Sequence, residues 1–221
     1  MTVVTKDDLK ARHEGGNAKK VEPMATTNWR QKQAERLKDL IYKTALKLFR
    51  ERGYESTSVD RITSLAGVAK GTFFNYYPSK DHVLAQWYSE LTLSVLQECR
   101  DTEFAGAEEA VLALAAGLTE GGTRDAGLFA SKSRNWSETV SGEEESMDAE
   151  LLRYLAGQLE SGRERGELAG SLDVDLFAGL ILAVLTGTAR NWVVAGCGFD
   201  LKETTEARIG FLFEAARARK D

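Results

Sequence analysis

Proline, cysteine and histidine each occur only twice among the 221 residues, and each scarcity closes off a class of structure or chemistry. Pro23 and Pro78 are the only strong helix breakers of their kind, and little of the chain alternates apolar with polar residues as a strand does, so an all-α fold is predicted. Cys99 and Cys197 lie far apart in sequence with no metal-ligand spacing, and read as buried or half-buried thiols in a reducing compartment. His13 and His82 are the only imidazoles. With no G-x-S-x-G elbow, phosphate-binding glycine loop or metal cluster beside them, an enzyme is not expected, nor is a metal or cofactor. The opening MTVVTKDDLKARHEGG lacks the apolar segment of a secretory leader, and the longest apolar run, Leu176 to Leu185, is too short to span a bilayer. A soluble, cytoplasmic protein with no membrane partner is the expectation.

Charge is abundant but unevenly placed. Residues 1–80 hold 16 basic and 9 acidic side chains, a balance of +7, whereas residues 81–221 hold 13 and 25, a balance of −12, which together make the net −5. A basic front part draws a protein to a phosphate backbone, and an acidic remainder keeps its other faces away.

Within the basic part, Thr57 to Lys80 reads TSVDRITSLAGVAKGTFFNYYPSK, two short helical runs broken at Ala66-Gly67-Val68. Thr57 is placed to cap the first run, with Asp60 at the capping-box position, and Val59, Ile62 and Leu65 recur at threes as its inward face. Gly67 supplies the left-handed turn. In the second run Ala69, Phe73 and Tyr77 form an inward stripe, while Gly71, Thr72, Asn75 and Tyr76 share the outer face with Lys70 at its leading end. Such small, planar and hydrogen-bonding groups suit base edges and phosphates. Pro78 stops this run, Ser79 caps the next helix, and Lys80 falls in that helix's first turn, either as a solvated charge or as a phosphate contact.

These residues resemble the TetR family of bacterial transcriptional regulators. The matching elements are LIYKTALKLFRERGY (Leu40 to Tyr54), then TSVDRIT, then AGVAKGTFFNYYPSK leading into DHVLAQWY. The resemblance implies that Lys70, Gly71, Thr72, Asn75 and Tyr76 contact bases and nearby phosphates, and that Thr57, Ser58 and Lys80 contact backbone. It implies an amino-terminal helix-turn-helix domain and a helical ligand-binding and dimerisation domain, whose last two helices pair with a second copy. One position departs from the pattern: the family usually has Tyr where Phe74 stands, and Phe lacks a hydroxyl for a phosphate. Phe74 is expected to pack and Tyr77 to stay in the core.

The expected organisation is a mobile segment 1–27, a DNA-binding domain 28–80 and a helical domain 81–221. Lys19 and Lys20 in the first segment belong to a solvated tail or to an arm following DNA. A bracing helix is expected from Thr27 or Asn28 to Arg52, on a stripe of Leu37, Ile41, Ala45, Leu48 and Phe49 that Gly53 ends. A connecting helix runs to about Cys99. Helices at about 104–120, 124–138 and 144–165 follow, then one from Val174 to Ala195 capped by Asp173 and apolar round much of its girth, hence buried, and a last from Glu203 to Arg219.

The function expected is a regulator, by family habit a repressor, that binds a palindromic operator in double-stranded DNA as a homodimer. A small-molecule effector of apolar or aromatic character would release it, with Trp87, Leu91, Phe129, Trp136 and Trp192 as candidate pocket walls, although aromatics at helical spacing are more often plain core. The competing expectation is a DNA-binding protein of the same build whose helical domain engages a protein partner and takes no effector.

Overall fold

The computed structural model describes residues 24–134 and 141–217. Their elements are helices: α1 Met24–Arg52, α2 Val59–Ala66, α3 Lys70–Phe74, α4 Lys80–Arg100, α5 Ala107–Arg124, α6 Ala126–Arg134, α7 Ser141–Glu164, α8 Val174–Val194 and α9 Leu201–Ala216. The all-α expectation holds. Residues up to Asp39 and residues from Leu40 onward form two separate units, and the helix-turn-helix, its supports and the helical core all lie in the second.

Local chemistry sets the helix ends. Gly53 (φ +84°) stops α1, and Gly67 (φ 68°, ψ 31°) ends α2 in the left-handed conformation that other residues adopt at a cost. Side chains cap the starts: Ser79 accepts from the Asp81 N–H, Asp173 from Leu176 and Asp200 from Glu203. α1 begins at Met24, a few residues earlier than the polar start signal at Thr27 or Asn28 indicated.

In α2 the cap is Ser58, which accepts from the Arg61 N–H, and not Thr57. Thr57 is 1% exposed, and its hydroxyl donates to the carbonyls of Gly53 (2.9 Å) and Leu48 (3.4 Å) at the end of α1. The apolar face of α2 also differs from the expected one. Spacing at threes lags 60° per step on a helix that turns 100° per residue, so Ile62 is buried while Leu65, two steps from Val59, swings out and is exposed. Thr63 takes the vacated inner position.

The core of the larger part gathers Leu96 of α4, Leu114 of α5, Leu155 of α7, Ile181 of α8 and Phe213 of α9. Glycines in α5 let its neighbours approach closely. A Cβ on Gly117 would sit 2.6 Å from Val95, one on Gly121 2.2 Å from Leu91, and one on Gly122 2.8 Å from Phe129. Each glycine costs the helix roughly 1 kcal/mol against alanine, a loss offset by the side chains that fill the space.

α8 is not buried all round. Phe177, Ala178, Ile181, Leu185, Thr188 and Trp192 face inward, while Leu176 and Leu180 stay exposed, as does Phe211 on α9. By length and composition α8 is long and apolar enough to cross a membrane, a property it shares with core helices of bundles; the ten-residue run in its sequence understated it. Cys99 is buried, and burial pushes its thiol pKa up. Cys197, expected to be at least half-buried, is exposed in the turn after α8, because Gly196 and Cys197 both take positive φ there.

Candidate nucleic-acid interface

The bracing helix works because its inner face is continuous. Ile41, Ala45, Leu48 and Phe49 are buried, and Tyr54 just past its end packs edge-on against Phe49 with ring centroids 5.0 Å apart. Ile62 and Thr63 of α2 and Phe73 and Tyr77 around α3 are buried as well. Tyr77 stays in the core as expected, its hydroxyl donating to Gln86 Oε1 of α4 at 2.9 Å.

The start of α4 clasps the turn between α1 and α2. The Tyr54 hydroxyl donates to Asp81, the Ser79 Oγ lies 3.0 Å from Asp81 Oδ2, and the Lys80 ammonium donates to the carbonyls of Tyr54 (2.9 Å) and Thr57 (3.3 Å). That ammonium also lies 4.1 Å from the centroid of the Tyr54 ring. Burial first, then the bond to Asp81, holds the Tyr54 pKa far above its ordinary value, so it remains a donor throughout the physiological range. Lys80 is thus not a freely solvated charge. It pins the loop that leads into α2, two of its three N–H groups being committed to carbonyls.

The outward residues form an open surface. Ser58, Lys70, Gly71 and Asn75 are exposed, and Thr72 and Tyr76 partly so. Lys70 pairs with Asp60 at 2.7 Å across an exposed gap, a pairing of small energetic consequence that a phosphate can replace. Nothing lies within 4 Å of a Cβ built on Gly71, and its φ is not of the kind that calls for glycine. No demand from inside the fold explains a glycine there. Arg61, exposed on α2, adds a cation that the face analysis passed over, because the hydrophobic spacing drew attention to the other side of that helix.

Four expectations need correction. Thr57 is buried, so it offers no surface to a duplex. Ala69 is exposed and extended at the start of α3 rather than part of an inward stripe. The helix itself ends at Phe74, so Asn75 is its C-cap and Tyr76 lies in the turn beyond, stabilised by N–H bonds from Asn75 to Gly71 and from Tyr76 to Phe73. Phe74 is 46% exposed, meeting Phe73 edge-on at 5.5 Å instead of packing into the core.

Further along, α6 and α8 bring Phe129 and Trp192 together, 6.2 Å apart, with Tyr88 of α4 6.4 Å from Phe129. Trp192 donates its indole N–H to the Phe199 carbonyl at 2.9 Å. Trp87 is buried, and Leu91 fills the space above Gly121 rather than joining the aromatic group. Trp136 lies outside the described residues. What sequence reasoning missed is Lys132, which is 4% exposed with its ammonium 5.8 Å from the Tyr88 ring centroid. Burial lowers its pKa to about 8 against the opposing pull of Asp148 and Asp81, and the same burial raises that of Asp148. No periodicity marks a lysine as buried; its neighbours Phe129 and Ser133 gave no signal.

Two contacts tie the bracing helix to the helical core. The Arg50 guanidinium grips Asp125, the residue before α6, with Nε and Nη2 at 2.9 and 2.8 Å, and the Tyr42 hydroxyl donates to Glu90 of α4 at 2.6 Å. On the outer side, a groove of about 580 Å³ between α8 and α9 is lined by Val184, Ala207, Phe211 and Leu212 with Glu203 and Arg208 at its edge.

Residues 41–86 match the family model described as bacterial regulatory proteins, tetR family. A helix-turn-helix transcriptional regulator of Bacillus subtilis (strain 168), YuxN, is 51% identical over 45 residues, covering 20% of this chain and 16% of that protein. The fatty acid metabolism regulator protein of the same organism is 27% identical over 176 residues, 73% of this chain and 86% of its own length. Among solved structures, Thermus thermophilus FadR, a TetR-family transcriptional repressor in complex with lauroyl-CoA, superposes with a TM-score of 0.71 at 26% identity, covering 83% of this chain and 97% of that one.

Proposed function

We propose that this chain, which belongs to the TetR family of bacterial regulatory proteins, is a cytoplasmic repressor that binds a palindromic operator as a homodimer and leaves it on binding a fatty acyl-CoA. DNA binding and transcriptional regulation come with the family. The observation that carries the reader surface is Gly71, a helical glycine with empty space above it, flanked by exposed Lys70, Asn75 and Ser58. The basic balance survives in the described part, where residues 24–80 hold 11 basic and 5 acidic side chains. Contacts to phosphate then set affinity, while Asn75 and its neighbours read base edges.

A five-residue helix spans too few base pairs to select a site alone. Two readers about 34–36 Å apart meet successive major grooves on one side of B-DNA, which requires a second copy. The exposed Leu176 and Leu180 of α8, Phe211 of α9 and the groove between these helices support a pairing face. For the effector, the likeness to a fatty acid metabolism regulator protein over 73% of the chain and to a repressor in complex with lauroyl-CoA over 83% supports an acyl-CoA. Phe129, Trp192 and Tyr88, packed together in the core, are apolar and aromatic side chains that would have to part to admit an acyl chain, and exposed Arg134 at the end of α6 supplies positive charge for an anionic headgroup. An acyl-CoA that displaces α6 strains the Arg50–Asp125 grip and so reaches the bracing helix. It shifts the equilibrium only by its preference for the released state: tenfold weaker operator binding needs about 1.4 kcal/mol of that preference.

The test is selection of bound fragments from random duplex DNA, followed by titration of the complex with acyl-CoAs of 12 to 18 carbons and with free CoA. A palindromic consensus, a steep salt dependence and release by acyl-CoA alone support the proposal. A consensus that no acyl-CoA releases keeps the DNA reading and removes the effector.

A further inference from the structure

We propose that Phe74 is a specificity-determining contact of the reader, its ring seated against the 5-methyl group of a thymine in the major groove. The inference rests on the DNA-binding reading above. A single exposed apolar side chain needs no special explanation; what distinguishes Phe74 is where it stands. It is three residues from Gly71 on the same short helix, so the two are surface neighbours, and side chains of helical residues lean back over the preceding turn. Gly71 has no side chain to cover that turn, and nothing, the Phe74 ring included, comes within 4 Å of where one would be. The ring, 46% exposed and meeting Phe73 edge-on with the two planes at 87°, therefore stands on an open surface with clear space beside it over Gly71.

The polar groups around this apolar spot are already suited to other parts of a duplex. Lys70 sits at the leading end of α3 for phosphate, and the Asn75 amide next to Phe74 is of the type that pairs with the N6 and N7 edge of adenine. Phe74 has no hydrogen-bonding group, so it gains nothing from a phosphate or from a donor or acceptor edge. Of the groups displayed in the major groove, the thymine methyl is the apolar one. A ring held at the rim of a surface that carries Lys70 and Asn75 is thereby assigned to a thymine in the same half-site as the base read by Asn75.

The experiment uses the full chain and the operator that it selects. Each thymine in one half-site is replaced in turn by deoxyuridine, which removes the methyl group and nothing else, and affinity is measured for the natural protein, for Phe74→Ala and for Phe74→Tyr. The expected result is one thymine per half-site whose replacement weakens binding by the natural protein about fourfold, as for one buried methyl. Phe74→Ala binds thymine and deoxyuridine versions of that position equally, and Phe74→Tyr, which keeps the ring, retains the difference. Two results overturn the proposal: an operator in which no thymine shows methyl dependence, or one whose methyl dependence Phe74→Ala leaves intact. Uniform weakening by Phe74→Ala at every position, with no methyl-dependent thymine, identifies a sugar contact instead. Enrichment of no sequence at all removes the DNA-binding premise, a result distinct from an operator indifferent to its methyl groups.

Discussion

Gly71 and Lys80 show how one side chain's surroundings decide its role. Gly71 sits in a helix, with no steric or backbone reason inside the fold to be glycine. Replacing it by alanine is therefore expected to raise stability by about 0.5–1 kcal/mol, since alanine is the better helix former and restricts the unfolded chain. The same methyl group intrudes on the surface that meets DNA, so operator affinity falls. Thermal unfolding and operator titration on the same sample check both directions, and a variant that gains stability without losing affinity contradicts the reader surface proposed here. Lys80 behaves in the opposite way. With its ammonium committed to the carbonyls of Tyr54 and Thr57, Lys80→Met is expected to cost roughly 1–2 kcal/mol in urea unfolding, the scale of charge-assisted hydrogen bonds in a half-buried place. The salt slope of operator binding stays unchanged, because no phosphate contact is lost. From the sequence, Lys80 in a first helical turn read equally well as a phosphate ligand. Only the turn after α1 leaves carbonyls facing it and so gives it a partner inside the fold, and these are tertiary facts.

At the scale of elements, the α6 lysine carries a pH signature. Lys132 is held at a pKa of about 8, below its unfolded value near 10.4. Its folded form therefore binds fewer protons than the unfolded chain between these values, and its contribution makes stability rise with pH across the window from about 8 to 10.4. Below pH 8 the buried charge is a standing cost that Asp148 and Asp81 offset only in part. Lys132→Met is expected to be more stable than the natural protein at pH 7.5, on the order of 1–3 kcal/mol, with the gap closing by pH 10. Melting curves at the two pH values measure it, and a gap that is constant with pH removes the assignment. Helix ends were largely legible: Gly53, Gly67, Ser79 and Asp173 act as their residue types indicate. Where reading failed, the local signal was degenerate. Thr57 and Ser58 are adjacent hydroxyls, each suited to a cap, and the Gly53 carbonyl decides between them by claiming Thr57. The helix expected at about 104–120 stopped short of Gly121 and Gly122, whereas α5 continues through both to Arg124, with Leu91 and Phe129 lying on them. Phe129 and Trp192, named separately as candidate pocket walls, lie 6.2 Å apart, but Lys132 near them was invisible, because burial of a lysine depends on which distant helices close over it.

For the whole molecule, the bracing helix beneath the reader is joined to the helical core through polar links. Arg50 and Asp125 form the bidentate one. If acyl-CoA acts through α6, Asp125→Asn is expected to reduce the effector's influence, so that saturating acyl-CoA weakens operator binding several-fold less than in the natural protein, while affinity without effector changes little. Operator titrations with and without acyl-CoA measure this coupling; an undiminished effect places the transmission elsewhere, the Tyr42–Glu90 contact being the next link. The central claim is that two copies present the Lys70–Tyr76 surface to neighbouring major grooves. Chemical footprinting of guanine N7 and of the backbone on the selected operator tests it most directly. The account predicts two protected major-groove patches on one side of the duplex, about 10–10.5 base pairs apart centre to centre or at a multiple of that spacing, both lost in Asn75→Ala together with Gly71→Ala. A single protected patch, or two that persist unchanged in that double variant, contradicts it.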